Sequence, residues 1–300
     1  MCRRKLSYEF LKYLLLVVII VLPHFNCSRT PKERPGMETY IFKTIGHTKL
    51  KLYVYQASKH KESESLPAIV FFFGGGWAGR HLTQFIPQSR YLAERGMVAI
   101  VADYRVRKRN GVTPFECVAD AKSAIRWVRA NASELGVDEN RIAAGGGSAG
   151  GHLAACTALI KDFDEKDEDL NVSSVPNALV LFNAVLNVPE IVPLHPKKVI
   201  KILDKRATEI SPIHHVYKGA PPTIIFHGTA DSNVPFHQAT LFCEEMKKYG
   251  NRCEVVPFEG REHGFFNYYS GENPDFLATM EETEKFLISI GYLKGYPIKK

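Results

Sequence analysis

A serine flanked by glycines is the residue of this sequence best suited to nucleophilic chemistry. Residues 146–150 read Gly-Gly-Ser-Ala-Gly and fit the pattern G-x-S-x-G, in which a buried strand turns sharply into a helix and exposes the serine hydroxyl, here that of Ser148. Ala149 then begins the helix, where its free N–H can bind an oxyanion that forms at the serine. Glycine-rich turns of this kind also bind phosphate or are merely tight turns. The function of Ser148 therefore depends on partners elsewhere in the chain.

Two later segments supply candidate partners for Ser148. Asp231 follows the apolar run 223–227 after a short turn, and His263 follows the strand-like run 254–257. A neutral imidazole can accept the serine proton during attack, so His263 is the candidate base. A carboxylate that binds the other ring nitrogen selects the tautomer and stabilises the imidazolium, and Asp231 is the candidate for this role.

Simpler roles compete with some of these assignments. Asp231 could cap the helix that follows it, and Glu259 or Glu262 could supply the carboxylate instead. The position of Asp231 after a strand favours it as the carboxylate. His152 lies one turn inside the helix that begins after the serine, where a packing role is favoured over catalysis.

A second glycine-rich loop, residues 74–79, directly follows the apolar run 68–73. Its glycines allow backbone N–H groups to approach a ligand closely. Gly75 and Gly76 are therefore candidates to complete an oxyanion hole with Ala149. Trp77 either lines an acyl pocket or closes this glycine loop.

Strands and helices alternate along most of the chain. Continuous apolar runs indicate strands buried on both faces, and amphipathic segments between them indicate helices. After a hairpin that turns near residues 46–48, the sequence predicts strands at 68–73, 98–102, 141–144, 178–182, 223–227 and 254–257, and helices at 84–95, 114–131, 149–160, 236–249 and 274–290. Such alternation predicts an α/β fold with a mostly parallel sheet, helices on both faces, and chemistry at the carboxyl ends of the strands.

Composition and charge indicate which partners and cofactors the protein does not need. The chain has 300 residues, 45% of them apolar, which is enough for one large core or two modest ones. Its net charge of +7 is spread among mixed charges, so no nucleic-acid partner is expected. The acidic segment 162–169 lacks the ordered glycine and final glutamate of a calcium loop, and His214-His215 resembles a metal pair only superficially. We expect neither a metal nor an organic cofactor.

The N-terminus has the layout of an export signal. Basic residues 3–5 precede nine uninterrupted apolar residues at 14–22, which is fewer than the ~20 that span a bilayer. Residues 1–27 are predicted to be a signal peptide or N-terminal anchor, with Cys27 as a weak lipidation candidate, and residues 28–38 a linker to a catalytic domain at 39–296. The protein is then periplasmic, secreted or membrane-anchored, and contacts a membrane only through this segment if it stays uncleaved or is lipidated.

Paired side chains are expected at two further places. Arg105 at a strand end and Asp120 in the next helix are too hydrophilic for their apolar surroundings unless they form a salt bridge. Cys243 and Cys253 could form a disulfide in an exported protein. Their apolar neighbours favour buried free thiols.

These motifs together resemble the α/β-hydrolase superfamily, and within it the bacterial acetyl esterases and hormone-sensitive-lipase-like carboxylesterases, over about residues 39–293. The matching segments are the serine motif with Gly151-His152, the glycine loop with Trp77, residues 103–105 and the turn 227–231. The resemblance implies an α/β-hydrolase fold with a short cap insertion, a triad of Ser148, Asp231 and His263, and a serine esterase that needs no cofactor. One departure is Phe73, where these esterases usually carry histidine.

The resemblance also suggests a substrate, a short acyl group, most plausibly acetyl, on a carbohydrate alcohol. The cap has only residues 189–217 available, too few for the helical lid that shelters long acyl chains. Trp77 and Phe265, together with Phe266, are candidate substrate-binding aromatics, and an equally favoured alternative is that all three belong to the core. A lipase-like esterase, a peptidase resembling prolyl oligopeptidase, and a non-catalytic binding module of the same fold are the alternatives. The presence of all three triad residues disfavours the last of these.

Overall fold

The computed structural model describes residues 37–58, 65–194, 203, 205–269 and 271–295. The predicted signal or anchor segment, with Cys27, lies outside the described residues, as does nearly all of the predicted linker. In chain order the strands and helices are β1 (Met37–Ile45), β2 (Thr48–Tyr55), β3 (Leu66–Phe72), α1 (Ile86–Glu94), β4 (Val98–Ala102), α2 (Arg107–Asn110), α3 (Pro114–Ala130), β5 (Val137–Gly147), α4 (Ala149–Leu159), β6 (Ala178–Phe182), α5 (Val188–Leu194), β7 (Thr223–Gly228), α6 (His237–Lys248), β8 (Cys253–Phe258) and α7 (Pro274–Ser289).

In the part of the chain that the structure describes, eight strands form one sheet in the order β1-β2-β4-β3-β5-β6-β7-β8. The β1–β2 hairpin and the β2–β4 pair are antiparallel, and every pair from β4 to β8 is parallel. All residues of β4 and β6 are buried. Since successive side chains of a strand point to opposite faces, both faces of the sheet are covered at its centre. The predicted fold class, an α/β-hydrolase fold with a mostly parallel sheet, is confirmed.

The parallel strands end at a common edge of the sheet and carry the candidate site residues there. The glycine loop follows β3, Ser148 follows β5, Asp231 follows β7, and His263 follows β8. In open α/β sheets, ligands bind outside the carboxyl ends of the strands. The fold therefore brings four distant parts of the chain to one edge.

A short insertion between β6 and β7 corresponds to the predicted cap. Its described part contains α5 and two short 3₁₀ helices, Ala207–Ile210 and Pro212–His215. Ile191 of α5 lines the cavity at the carboxyl edge of the sheet. The insertion therefore covers part of that edge. Among the residues described, no helix is both long and apolar enough to cross a membrane.

The predicted salt bridge between Arg105 and Asp120 is confirmed. Arg105 Nε and Nη2 each lie 2.8 Å from an Asp120 oxygen, and the Arg105 backbone N–H donates to Oδ2 at 2.9 Å. Lys43 Nζ also lies 2.7 Å from Asp120 Oδ1. Glu165 contacts both cations. One fully buried carboxylate thus connects β1, the end of β4 and α3, and its two partners offset the cost of burying its charge.

The sequence left two alternatives for the later cysteines, a disulfide or buried free thiols, and the disulfide is the one that forms. Cys243 in α6 and Cys253 at the start of β8 form a disulfide, with their Cα atoms 5.3 Å apart. Both are buried, as their apolar neighbours indicate. The tight connection between α6 and β8, however, brings their Cα atoms to the separation that a disulfide requires. Cys117 and Cys156 are buried free thiols.

The acidic segment at 162–169 forms ion pairs with helix α3. Asp164 contacts both Lys122 and Arg126, and Arg126 also contacts Glu168. The Lys122 ammonium additionally donates to three successive carbonyls, of which that of Ile160 lies directly after α4. This segment therefore fixes the C-terminal end of the helix that begins after Ser148.

Candidate active site

Ser148 lies in a strained turn between β5 and α4. Its φ of 55° and ψ of −120° are rare for any residue other than glycine and cost about 1–3 kcal/mol. A Cβ on Gly150 would lie 2.0 Å from the Phe72 carbonyl oxygen, and one on Gly146 would lie 2.5 Å from the same oxygen. The two glycines of the motif therefore allow α4 to begin directly against the end of β3. The turn carries Ser148 at the carboxyl edge of the sheet.

His263 and Asp231 form a direct hydrogen bond. His263 Nδ1 lies 2.7 Å from Asp231 Oδ2, and the Asp231 side chain is fully buried. A carboxylate only accepts, so the imidazole proton lies on Nδ1. The lone pair of the neutral ring is then on Nε2, the nitrogen that a base would use. Glu259 and Glu262, the alternative carboxylates, are exposed.

Five donors from the described residues surround the Asp231 carboxylate. Oδ1 accepts the backbone N–H groups of Asn233 and Val234, each at 2.9 Å. Oδ2 accepts the Asn183 side-chain amide as well as His263. His227 Nε2 lies 3.4 Å from the same oxygen. Such a site strongly favours the ionised form.

The pKa of the Asp231 carboxyl accordingly lies well below its usual range. Burial by itself would raise this pKa, but hydrogen bonds from His227, His263 and the Val234 N–H lower it by more. The group therefore stays ionised throughout the physiological pH range. It can hold His263 in one tautomer and stabilise the imidazolium when that forms.

Ser148 and His263 line the same cavity, which has a volume of about 550 Å³. The described contacts include no direct hydrogen bond between the Ser148 hydroxyl and the His263 ring, and such catalytic bonds often tighten only when substrate binds. The lining residues are Gly74, Gly75, Gly76, Trp77, Ala78, His81, Gln84, Ser148, Ala149, Val185, Ile191, Asn233, Val234, His263, Gly264, Phe266 and Asn267.

The glycine loop presents its backbone to this cavity. Gly75, Gly76 and Trp77 have φ values of 126°, 58° and 55°, and the turn is closed by the N–H groups of Ala78 and Gly79, which donate to the Gly75 carbonyl. The described hydrogen bonds leave the N–H groups of Gly75, Gly76 and Ala149 without a protein acceptor. The three predicted oxyanion donors therefore all lie at the cavity with free N–H groups.

Trp77 both closes the glycine loop and lines the cavity. It is only 5% exposed, and its indole N–H donates to His152 Nδ1 at 3.1 Å. His152 Nε2 in turn donates to the Ile210 carbonyl at 2.7 Å. Burial lowers the pKa of His152 to about 4, so the ring is neutral and can accept from Trp77. The predicted packing role of His152 is confirmed, because this buried ring connects the glycine loop, α4 and the cap.

Phe265, a candidate substrate-binding residue, lies outside the lining of this cavity. Its ring packs against Phe258, with centroids 4.4 Å apart. The next residue, Phe266, lines the cavity instead and packs so closely under Gly147 that a Cβ there would lie 2.4 Å from its ring. Gly264, with φ 84°, turns the chain between His263 and these two rings. The turn at Gly264 therefore decides which of the two phenylalanine rings faces the cavity, and the sequence pattern does not specify this turn.

Several contacting residues were not predicted from the sequence. Gln84 accepts the Gly74 N–H at 2.7 Å and donates to Asn267 at 3.0 Å, so it connects the glycine loop to the loop after His263. Asn183 directly follows β6 at the carboxyl edge, and its position after a strand was the signal that could have identified it. In place of the usual histidine, Phe73 stacks on Tyr104 at 4.1 Å, and the Tyr104 hydroxyl donates to the Phe73 carbonyl at 2.7 Å.

The mostly parallel sheet and the sharp strand-to-helix turn at its centre define the α/β-hydrolase class of proteins. The BD-FAE family model matches residues 52–246, and the chain belongs to this family, within the α/β-hydrolase carboxylesterases.

Solved and curated relatives agree with this assignment. Thermogutta terrifontis esterase 2 phosphoramylated by tabun is 50% identical, with a TM-score of 0.83 over 89% of this chain and 99% of that one. The propionate-bound form of that esterase is 51% identical, with a TM-score of 0.82 over 89% and 100% of the two chains. The probable carboxylic ester hydrolase LipM of Mycobacterium tuberculosis is 31% identical over 66% of this chain and 49% of its own length. The chain thus spans about half the length of the curated relatives it matches.

Proposed function

We propose that this protein is a serine carboxylesterase that hydrolyses esters of short acyl groups through an acyl-Ser148 intermediate. One observation carries the proposal: the hydrogen-bonded pair of His263 and Asp231 opens onto the same cavity as Ser148 and three free backbone N–H groups. A nucleophile, a base, an orienting carboxylate and oxyanion donors are the groups that acyl transfer requires.

The reaction proceeds in two halves. The Ser148 hydroxyl attacks the ester carbonyl while His263 Nε2 accepts its proton, and Asp231 stabilises the imidazolium. The negative charge on the carbonyl oxygen is bound by the N–H of Ala149 and those of the glycine loop. His263 returns the proton to the leaving alcohol, and a water activated by the same ring then attacks the acyl-enzyme and releases the acid.

The pH dependence tests the role of His263. We expect kcat/KM for nitrophenyl acetate to fall as the pH is lowered from about 8 to about 5, because an imidazolium cannot accept the serine proton. The Asp231 carboxyl stays ionised in this range, since its pKa is held well below the usual value. It therefore causes no second loss of kcat/KM at acid pH. A rate that stays flat across this interval would contradict a histidine base.

A short acyl chain fits the apolar groups beside Ser148. The Val185 N–H lies 3.4 Å from the Ser148 carbonyl oxygen, and Phe266 packs under Gly147, so both lining residues lie close to the backbone of the serine turn. Ile191 adds an apolar contact from the cap. A solved relative, Thermogutta terrifontis esterase 2, binds propionate. These features support acetyl or another short acyl group as the acyl part of the substrate.

We propose further that the alcohol is a carbohydrate and that the reaction occurs outside the cytoplasm. The predicted export signal supports this location, as does the disulfide between Cys243 and Cys253, because disulfides persist in oxidising compartments. The small number of residues in the cap supports an alcohol side that admits bulky groups. Trp77 and Phe266 are 5% and 1% exposed, so they can bound the acyl chain but offer little area for a sugar ring to stack on.

A substrate series tests this assignment. We expect kcat/KM to be highest for acetyl or butyryl esters and to fall steeply at octanoyl and palmitoyl, and acetate to be released from acetylated xylan. A buried methylene contributes only ~0.8 kcal/mol, about fourfold in rate, so a sharp fall indicates a blocking pocket wall. A peptide anilide should not be cleaved. If octanoyl esters react faster than acetyl esters and xylan releases no acetate, the protein is a lipase-like esterase instead.

A further inference from the structure

A histidine that the proposed mechanism does not use lies at the rim of the active-site cavity. His81 is exposed and lines the cavity together with Ser148 and His263. Its ring rests on the glycine loop so closely that a Cβ on Gly75 would lie 2.8 Å from its Cδ2, and a Cβ on Gly79 would lie 2.8 Å from its Nε2. The absence of side chains at Gly75 and Gly79 therefore makes room for this imidazole beside the candidate oxyanion donors.

The ring of His81 is available for hydrogen bonding to a ligand. Neither of its nitrogens bonds to any of the described residues, whereas two other polar side chains of the cavity are engaged: Gln84 with Gly74 and Asn267, and Asn267 with Gly264. Partial desolvation of the ring and the nearby charge of Lys108 lower the pKa of His81, so the ring is neutral at neutral pH although the residue as a whole is exposed. A neutral imidazole offers one N–H donor and one acceptor nitrogen.

The position of His81 indicates which part of a substrate it meets. Val185 and Phe266 both lie beside Ser148 or the residue before it, and the proposed function assigns the acyl chain to them. His81 instead lies on the glycine loop at the solvent-exposed rim, where the leaving alcohol must depart. A group with one donor and one acceptor is complementary to a hydroxyl, which also donates and accepts, and it gives no charge compensation to an anion.

We propose that His81 binds a hydroxyl group on the alcohol part of the substrate and so makes the enzyme selective for esters of polyhydroxylated alcohols. This inference rests on the proposed esterase function. It assigns the alcohol-binding subsite to the rim of the glycine loop rather than to the buried aromatic residues.

The experiment compares two acetate esters of similar size. Cyclohexyl acetate has no free hydroxyl, and an acetylated methyl xyloside has two. We expect the native enzyme to prefer the xyloside and His81→Phe, which keeps a ring on Gly75 and Gly79, to reduce the ratio of the two kcat/KM values about fivefold, as for the loss of one neutral hydrogen bond. The change should be mainly in KM for the xyloside.

Two further variants separate recognition from packing. His81→Gln keeps a donor and an acceptor and should retain most of the xyloside preference, whereas Lys108→Gln removes the neighbouring charge and should leave the ratio of the native enzyme unchanged. An equal loss of kcat/KM on both esters in His81→Phe overturns the proposal in favour of support for the glycine loop. Native kcat/KM values for both esters in this variant overturn it outright. Both results leave the esterase function intact. That function, and the inference with it, fails only if the native enzyme hydrolyses neither ester.

Discussion

Replacing Ser148 with alanine is expected to reduce kcat for nitrophenyl acetate by about 10⁴-fold or more while the protein remains folded. The hydroxyl is the only group lost, and without it no acyl-enzyme can form. The free N–H groups at Ala149 and in the glycine loop are unchanged in the variant, so substrate binding should persist. Steady-state kinetics and a circular dichroism spectrum measure the two parts of this prediction. An alanine variant with near-native activity would remove Ser148 from the mechanism.

The backbone conformation of Ser148 provides a matched control. Alanine cannot relieve the strain of φ 55°, but glycine adopts this conformation without penalty. Ser148→Gly should therefore be as inactive as Ser148→Ala, yet unfold at a higher temperature than the alanine variant. Equal unfolding temperatures would mean that the turn stores no strain at this residue. The pair thus distinguishes the chemical role of the hydroxyl from the cost of positioning it.

The core elements could be predicted because each depends on a local pattern. Continuous apolar runs such as that of β4 occur only where both faces of a strand are buried. The strand-end rule then places whatever follows β5, β7 and β8 at one edge of the sheet. From this rule alone, with no distances, the sequence predicts that Ser148, Asp231 and His263 lie close together. The hydrogen bond between His263 and Asp231 agrees with that expectation.

The features that escaped prediction depend on the distance or direction of side chains. Cys243 and Cys253 pair because of the separation of two Cα atoms across a helix-to-strand connection, which apolar neighbours do not reveal. The orientation of Phe265 relative to Phe266 depends on the turn at Gly264. The bond between Trp77 and His152 joins residues that are 75 positions apart in the chain. In each case the residue types were visible, but the geometry that decides their role was not.

The contacts of Asp231 determine what an amide would do in its place. Oδ1 is fixed by the N–H groups of Asn233 and Val234, so an asparagine would keep its oxygen there. Its NH₂ group would then occupy the position of Oδ2, facing donors from Asn183 and His263. His263 Nδ1 could remain next to an NH₂ group only as an acceptor, which moves the ring proton to Nε2. In that tautomer the imidazole cannot take the proton of Ser148.

Asp231→Asn is therefore expected to lower kcat by about 10³–10⁴-fold and to reduce the free energy of unfolding by about 1–3 kcal/mol, because buried donors lose their acceptor. Glu259→Gln and Glu262→Gln serve as controls, since both glutamates are exposed and the described carboxylate partner of His263 is Asp231. Their kcat should stay within about twofold of the native value, as for surface substitutions away from the site. Kinetics and thermal unfolding of the three variants measure these effects. A large loss of kcat in Glu262→Gln together with an active Asp231→Asn would mean that Glu262, and not Asp231, is the carboxylate that orients His263. It would also contradict the role given to Asp231 in selecting the tautomer.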